Sequence, residues 1–251
     1  MTEHRISDIN KLFHDQIYTG SLSARMIHPD GRPYHTFRTS SLLVDGSHLT
    51  FTNCTFENPA GKGKEVGQAI ALYIDGDDIH CINCQILGHQ DTLFLAPLPE
   101  KEREVDGFLG PKQFEPRAMH KYYFKNCLIT GGVDFVFGGG EAVFEDCEFR
   151  SIEPGFVFAP NTPSGEKGFM VKHCRFTCSE DVPDGSCYLG RPWRDHARVT
   201  IEDCFLDRHI HPDGWIGWNR SQPESTTQFR EIRSYGPGAN EGHRPDWVIQ
   251  K

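Results

Sequence analysis

Six cysteines occupy the same place in a repeated pattern of apolar residues, and this repeat restricts the possible fold more than any other feature of the chain. Apolar residues stand five and three positions before each of these cysteines and two positions after it. The residue directly before each one is Asn, Asp or His. The cysteines in this frame are Cys54, Cys84, Cys127, Cys147, Cys174 and Cys204.

The repeat predicts a parallel β-helix. Apolar residues at alternate positions indicate a half-buried strand. The alternation changes phase at the residue before the cysteine, and a bend explains the change because Asn and Asp tolerate left-handed backbone angles. Each unit is therefore a strand, a one-residue corner, a second strand and a longer turn, which make one coil of a solenoid. We expect the cysteines to stack in its core as small hydrophobic residues.

The spacing of the cysteines predicts how the chain is divided. Successive cysteines are 30, 43, 20, 27 and 30 residues apart, so each interval brackets one coil. The longest interval contains residues 96–118, which include four prolines and show no strand alternation, so we interpret them as an excursion rather than a hidden coil. The expected organisation is one domain over 1–251, with an N-terminal cap over 1–36 that contains a short amphipathic helix at 6–13, coils over 37–220 and a tail over 221–251.

Composition and charge exclude several classes of function. A net charge of −9 argues against binding to nucleic acid or to an anionic membrane surface. No apolar run approaches the roughly 20 residues of a membrane span, and the first residues lack the apolar segment of a secretory signal. Nine cysteines without a CxxC pair argue against a zinc cluster or a disulfide framework. We therefore expect a cytoplasmic protein with reduced thiols, or a secreted one if a leader has been removed.

The same frame brings two carboxylates together. Asp91 and Asp134 each stand seven positions after a framed cysteine, Cys84 and Cys127 respectively. If these coils are neighbours, the two side chains face each other from adjacent strands roughly 5 Å apart. Two carboxyl groups so close tend to share one proton, which supplies one acid and one base for hydrolysis. The alternative is that both aspartates are turn residues that cap strands.

Further polar and aromatic residues fall near this pair. Gln90 precedes Asp91, and Gln68 begins the matching strand one coil earlier, so both amides are candidate donors to a developing oxyanion. Residues 188–193 are expected to start a later strand, and the guanidinium of Arg191 there can hold a carboxylate through two hydrogen bonds. Trp193 follows it, and an indole can stack on the face of a sugar.

Four short blocks of this chain resemble the signature blocks of the pectin methylesterases, and they occur in the same order. The blocks are GQAIAL at 67–72, GHQDTL at 88–93, VDFVFG at 133–138 and LGRPW at 189–193. The resemblance extends from about residue 36 to about residue 218. It implies an all-β fold, a right-handed single-stranded parallel β-helix, in agreement with the repeat. It also implies a methylated oligogalacturonide or pectin as substrate, with no metal or cofactor.

The resemblance also implies a role for each matching residue. Asp134 matches the nucleophile that attacks the methyl ester, and Asp91 matches the general acid and base. Gln68 and Gln90 match the oxyanion donors, and Arg191 matches the cation that keeps the nucleophile ionised. The residues expected to contact the sugar chain are Phe137, Trp193, Tyr73 and Val133.

Three departures from the family pattern modify this expectation. A first coil with a Gly-x-Tyr-x-Glu block is missing, the 96–118 excursion is longer than the usual link, and no secretory leader is found. We therefore expect an esterase acting on short methylated oligogalacturonides, with the excursion closing part of the groove. Two alternatives remain open: a glycosidase or lyase acting on polygalacturonate, and a non-catalytic carbohydrate-binding β-helix.

Overall fold

Three parallel sheets, each built from one strand per coil, form the walls of a solenoid. The computed structural model describes residues 4–218, 225–239 and 243–251. The first sheet contains β1 (His4–Ile6), β4 (Leu42–Val44), β7 (Leu72–Ile74), β10 (Leu93–Leu95), β13 (Val136–Gly138), β16 (Gly155–Pro160) and β19 (Cys187–Gly190). The second contains β2 (Ile9–His14), β5 (Ser47–Thr52), β8 (Ile79–Ile82), β11 (Lys121–Lys125), β14 (Glu141–Glu145), β17 (Phe169–Lys172), β20 (Arg198–Glu202), β22 (Gln228–Ile232) and β23 (Ile249–Gln250). The third contains β3 (Ile17–Thr19), β6 (Thr55–Glu57), β9 (Gln85–Leu87), β12 (Leu128–Gly131), β15 (Glu148–Ser151), β18 (Arg175–Cys178) and β21 (Phe205–Leu206).

The register between coils confirms the predicted parallel β-helix. Residues five positions before the framed cysteines pair with one another along the second sheet, as Leu49 does with Ile79 and Ile79 with Tyr122. Residues two positions after them pair along the third sheet, as Phe56 does with Ile86. All the framed positions are buried, so the repeat is the core of the molecule.

The corner before each cysteine has the conformation that the sequence predicts. The residues before all six framed cysteines have φ between 52° and 56°, in the left-handed region. Each following thiol points inward and donates to a backbone carbonyl of the preceding coil, as Cys84 Sγ does to Phe51 O at 3.4 Å. All nine cysteines are free.

The predicted N-terminal helix at 6–13 is wrong. Residues Ile9–His14 form β2, which pairs with β5 in the register of the other coils. Strands thus begin at His4, within the segment assigned to a cap, and β22 and β23 extend into the segment assigned to a tail. The predicted boundary between coils and tail at residues 220 and 221 lies outside the described residues.

The 96–118 excursion leaves the solenoid between β10 and β11 and adds no coil. Strand β11 pairs directly with β8, and β10 pairs directly with both β7 and β13. The coils that carry Asp91 and Asp134 are therefore neighbours. A 3₁₀ helix at Thr36–Arg38 and the short helix α1 at Gly63–Val66 accompany the strands. Within the described ranges, neither helix has the length and apolarity of a membrane span.

The buried side chain of Asn58 fixes the backbone of the GQAIAL block at 67–72. Its Nδ2 lies 3.0 Å from Leu22 O and 3.1 Å from both Thr39 O and Ile70 O, and its Oδ1 accepts a hydrogen bond from the Ala60 N–H. Ile70 follows Gln68 by two residues, so this amide holds the strand that presents the glutamine. Loss of the donor would leave buried carbonyl groups unpaired.

We expect Asn58→Asp to lower the free energy of unfolding by about 3 kcal/mol, because a carboxyl group there faces carbonyl oxygens without a donor for them. Chemical denaturation measures the change. Asn83→Asp is the matched control: Asn83 is exposed at a left-handed corner that aspartate also tolerates, so a change within roughly 0.5 kcal/mol is expected. Equal effects of the two substitutions would contradict this role of Asn58.

Candidate active site

Asp91 and Asp134 lie next to each other on the outer face of the solenoid. Each aspartate lies two residues before a strand of the first sheet. Leu93 pairs with Val136, so the two aspartates are in line on adjacent coils. The Asp91 N–H donates to Val133 O at 3.0 Å. Both aspartates have φ in the left-handed region, 61° and 50°, which turns their side chains out of the strand direction. Only 8% and 6% of their surfaces are exposed.

Arg191 binds Asp134 through two parallel hydrogen bonds. Its Nε lies 2.9 Å from Oδ1, and its second terminal nitrogen lies 2.7 Å from Oδ2. The guanidinium carbon is 3.9 Å from the ring centroids of both Phe156 and Trp218, so two aromatic rings enclose the cation. Bidentate pairing and the two rings together fix the orientation of the Asp134 carboxylate.

The two carboxyl groups differ in how strongly they hold a proton. Burial and the neighbouring charge of Asp134 raise the pKa of Asp91 well above its usual range, against the smaller effects of Arg191 and a hydrogen bond from Gln90. Burial also raises the pKa of Asp134, but its contact with Arg191 opposes that rise. These effects favour the proton on Asp91, while Arg191 favours the anionic form of Asp134.

Gln68 and Gln90 lie on adjacent coils beside the carboxylates. The Ala69 N–H donates to Gln90 O at 3.0 Å, which ties the two segments together. Helix α1 approaches the Gln90 side chain so closely that a Cβ at Gly63 would lie 2.1 Å from Gln90 Oε1. A glycine at the start of this helix is thus what allows the helix to cover the Gln90 amide.

These side chains surround one cavity of about 300 Å³. Phe137 forms part of its wall, and its ring centroid lies 5.8 Å from that of Trp193. The cavity is lined by Thr36, Phe37, Gln68, Gln90, Asp91, Arg103, Glu104, Gly107, Phe108, Asp134, Phe137, Ala159, Arg191, Trp193, Arg194 and Trp218. Seven of the nine residues predicted from the sequence are among them.

Tyr73 and Val133 are the two predicted residues that do not line this cavity. Tyr73 is fully buried, with its ring 4.8 Å from that of Phe94 and 5.9 Å from that of Phe37. It belongs to an aromatic cluster that Phe37 and Phe108 cover. Val133 is partly exposed and contributes its carbonyl to the Asp91 N–H. The prediction that both contact the sugar chain has no support from their positions.

Sequence reasoning did not identify several residues of the site. Phe156 and Trp218 enclose Arg191 without belonging to any of the four blocks. Arg103 and Phe108 line the cavity from the excursion, whose sequence has no periodicity that could predict their positions. The available signal was the Trp215–Trp218 stretch, since tryptophan is the preferred partner of a cation over an aromatic ring.

The fold and the site define the class of protein: a parallel β-helix with a buried pair of neighbouring carboxyl groups. The chain belongs to the pectinesterase family, whose model matches residues 12–99 and 117–251. The match omits residues 100–116, which lie inside the excursion. A pectinesterase of Petunia integrifolia is 33% identical over 224 residues, which cover 84% of this chain and 54% of that protein. The chain thus spans about half the length of this curated relative.

Solved structures agree with the fold. The pectin methylesterase of Aspergillus niger superposes with a TM-score of 0.79 over 99% of this chain and 77% of that chain, at 23% identity. A pectin methylesterase in complex with a hexasaccharide superposes with a TM-score of 0.75 over 100% of this chain and 80% of that chain, at 21% identity. At these identities the likeness establishes the parallel β-helix.

Proposed function

We propose that this protein is an esterase that removes methyl groups from methylated galacturonate chains and releases methanol. The observation that carries the proposal is that Arg191 binds Asp134 through two hydrogen bonds, while Asp91, whose pKa is raised, lies in line with Asp134 on the adjacent coil. Family membership supports the reaction type, and the hexasaccharide complex of a structural neighbour supports a saccharide chain as substrate.

In the first step, an Asp134 oxygen attacks the carbonyl carbon of the methyl ester. The carbonyl oxygen becomes an oxyanion, which the side-chain amides of Gln68 and Gln90 stabilise by donating hydrogen bonds. The intermediate then expels the methoxy group, which takes the proton of Asp91 and leaves as methanol. An acyl-enzyme anhydride on Asp134 and an ionised Asp91 remain.

In the second step, Asp91 acts as a base. It takes a proton from water, and the resulting hydroxide attacks the acyl carbon of the anhydride. The bond to Asp134 breaks, which leaves an ionised Asp134, a protonated Asp91 and the sugar carboxylic acid. The acid then loses its proton to solvent and is released as the carboxylate. Arg191 stabilises Asp134 as the leaving carboxylate in this step.

The products separate this function from the two alternatives. Methylated oligogalacturonides incubated with the protein should yield methanol, without new reducing ends or unsaturated sugars. Reducing ends would indicate a glycosidase, and unsaturated products a lyase. Absence of any product with intact binding would favour the non-catalytic alternative. The spacing between adjacent strands, about 4.8 Å, is also shorter than the roughly 6.5–9.5 Å that separates the carboxyl groups of inverting glycosidases.

The 96–118 excursion supports a preference for short substrates. Its Phe108 packs edge-on against Trp193, with ring centroids 6.4 Å apart, and against Phe37 at 6.1 Å. Lys112, also in the excursion, binds the coil that carries β4, since its Nζ lies 2.9 Å from an Asp45 oxygen. The excursion therefore forms a fixed wall at one side of the cavity that holds the carboxylate pair.

Arg103 of the excursion and Arg194 create a cationic junction beside the reacting groups. Both line the active-site cavity and also a second cavity of about 650 Å³. Burial, together with the charge of Arg103, lowers the pKa of Arg194 to about 10. An anion placed between two such cations is stabilised, so this junction suits the free carboxylate of a sugar next to the reacting one.

We expect Arg103→Ala to raise the KM for partly de-esterified oligogalacturonides about tenfold, because a charged hydrogen bond to the neighbouring carboxylate is lost. Fully methylated oligomers, which lack that carboxylate, should show little change. Arg175→Ala, an exposed arginine that contacts Phe205, is the control variant. Equal changes in KM for both substrates would argue against the junction.

The preference for short substrates has its own test, the turnover of trimers compared with polymeric pectin by the wild type. A clear preference for polymeric pectin would contradict it.

A further inference from the structure

A second group of chemically reactive side chains lies apart from the active-site cavity. Cys178 is the last residue of β18, and Asp207 directly follows β21, which pairs with β18. His209 lies two residues further on. One ligand atom from each of the three side chains lies within 4.8 Å of the other two. None of them lines the cavity that contains Asp91 and Asp134.

The buried side chain of His209 lacks hydrogen-bond partners in the described part of the chain. The residue is fully buried, and neither ring nitrogen has a hydrogen-bond partner within the described part of the chain. Buried polar groups are nearly always paired, so two unpaired nitrogens on one ring call for a ligand. Burial lowers the pKa of the imidazole to about 4, which keeps the ring neutral and its lone pair available at neutral pH.

The other two side chains supply the remaining donors. Asp207 accepts a hydrogen bond from the Arg208 N–H at 2.7 Å through Oδ1, which orients the carboxylate. Burial raises the pKa of the Cys178 thiol, and the charge of Arg208 opposes the rise. Arg208 itself donates to Val182 O at 3.1 Å and pairs with Asp184, so its guanidinium is directed to the loop that follows Cys178.

We propose that Cys178, Asp207 and His209 form a binding site for a late first-row divalent metal ion, with zinc as the representative. Thiolate, imidazole and carboxylate are the ligand types that zinc takes, at about 2.0–2.3 Å. The three atoms need to close by about 1 Å to reach a tetrahedral arrangement. Binding releases the Cys178 proton to solvent, and water fills the fourth position.

Such an ion would link two successive coils near the C-terminal end of the solenoid. Cys178 comes from the coil of β16 to β18, and Asp207 and His209 come from the next one. Each coil contacts only its neighbours, so a bond between coils stabilises the end of the array. The ligands are distant in sequence, and for that reason cysteine spacing alone does not reveal the site.

Titration of the full chain, freed of metal with a chelator, tests the proposal. Calorimetry with zinc is expected to show one saturable site of micromolar or tighter affinity. Cobalt is expected to produce visible d–d bands and a near-ultraviolet band from thiolate-to-metal charge transfer. At a hundredfold excess over Kd, zinc should raise Tm by roughly 5–10 °C.

Two conservative variants locate the site. Cys178→Ser should abolish the charge-transfer band, and both it and Asp207→Asn should weaken zinc binding at least about tenfold. The Asn side chain retains the acceptor for the Arg208 N–H, so folding is preserved. Asp184→Asn, which changes a neighbouring acid outside the group, should bind zinc as the wild type does. No saturable binding, or binding that survives in both ligand variants, would overturn the proposal.

Discussion

The Asp134→Asn protein is expected to release methanol at least about 10⁴-fold more slowly than the wild type. The carboxylate forms the new bond to the ester carbonyl in the proposed mechanism, and an amide of the same shape is a far weaker nucleophile. Its Oδ1 can still accept a hydrogen bond from Arg191, so the cavity keeps its form. Single-turnover methanol release from a methylated oligogalacturonide measures the loss, and the thermal unfolding curve checks that the protein is folded.

Asp203→Asn is a matched control for this substitution. Asp203 also lies at a left-handed corner, with φ of 53°, and also binds an arginine through both carboxylate oxygens, at 2.7 and 2.6 Å from Arg233. It lies outside the active-site cavity. Its substitution should leave kcat unchanged. If Asp134→Asn kept activity within tenfold of the wild type, another group would have to be the nucleophile.

The sequence predicted the coils that carry a cysteine and missed those that do not. Register places Gln16 where later coils have the framed cysteine, since Ile17 pairs with Thr55. Phe13 and Tyr18 of this coil keep framed positions, but Lys11 stands where later coils have the first apolar residue, and Ile9 and Leu12 are 67% and 65% exposed. Ser234 takes the same place after β22, because Phe229 pairs with Val199. A search anchored on cysteine could not find either coil, although the backbone repeats there.

The site was predictable where it depends on the repeat and unpredictable where it depends on packing outside it. Asp91 and Asp134 come together because their positions in successive coils are equivalent. Tyr73 also occupies an equivalent position in its coil, since it pairs with Phe94. The 3₁₀ helix and the excursion cover its side chain, however, and the periodicity of the sequence does not predict their positions. The rings of Phe156 and Trp218 that enclose Arg191 likewise lie outside the repeated frame, so the repeat could not predict their contact with Arg191.

The Asp91→Asn protein is expected to lose about 10²–10⁴-fold in kcat, because the amide can donate a hydrogen bond to the leaving methoxy group but cannot transfer a proton. Wild-type activity should fall as pH rises through the raised pKa of Asp91, where the acid form is lost. It should also fall as pH decreases and Asp134 becomes protonated. The variant should lack the decline on the alkaline side. A pH profile of kcat for both proteins makes the comparison.

The same substitution should make the protein more stable at neutral and alkaline pH. The folded-state pKa of Asp91 is raised by burial and by Asp134, so between its ordinary and raised values the folded protein binds a proton that the unfolded chain releases. Stability of the wild type therefore falls as pH rises through this window, and asparagine has no proton to lose. The pH dependence of stability has the opposite sign for Asp203. The hydrogen bonds with Arg233 lower the pKa of Asp203, so the stability that its ionised form contributes is lost as pH falls. The Tm of Asp91→Asn should exceed that of the wild type above the window and match it below. Parallel Tm curves for the two proteins would mean that Asp91 is not the proton holder, and the assignment of acid and nucleophile within the pair would then fail.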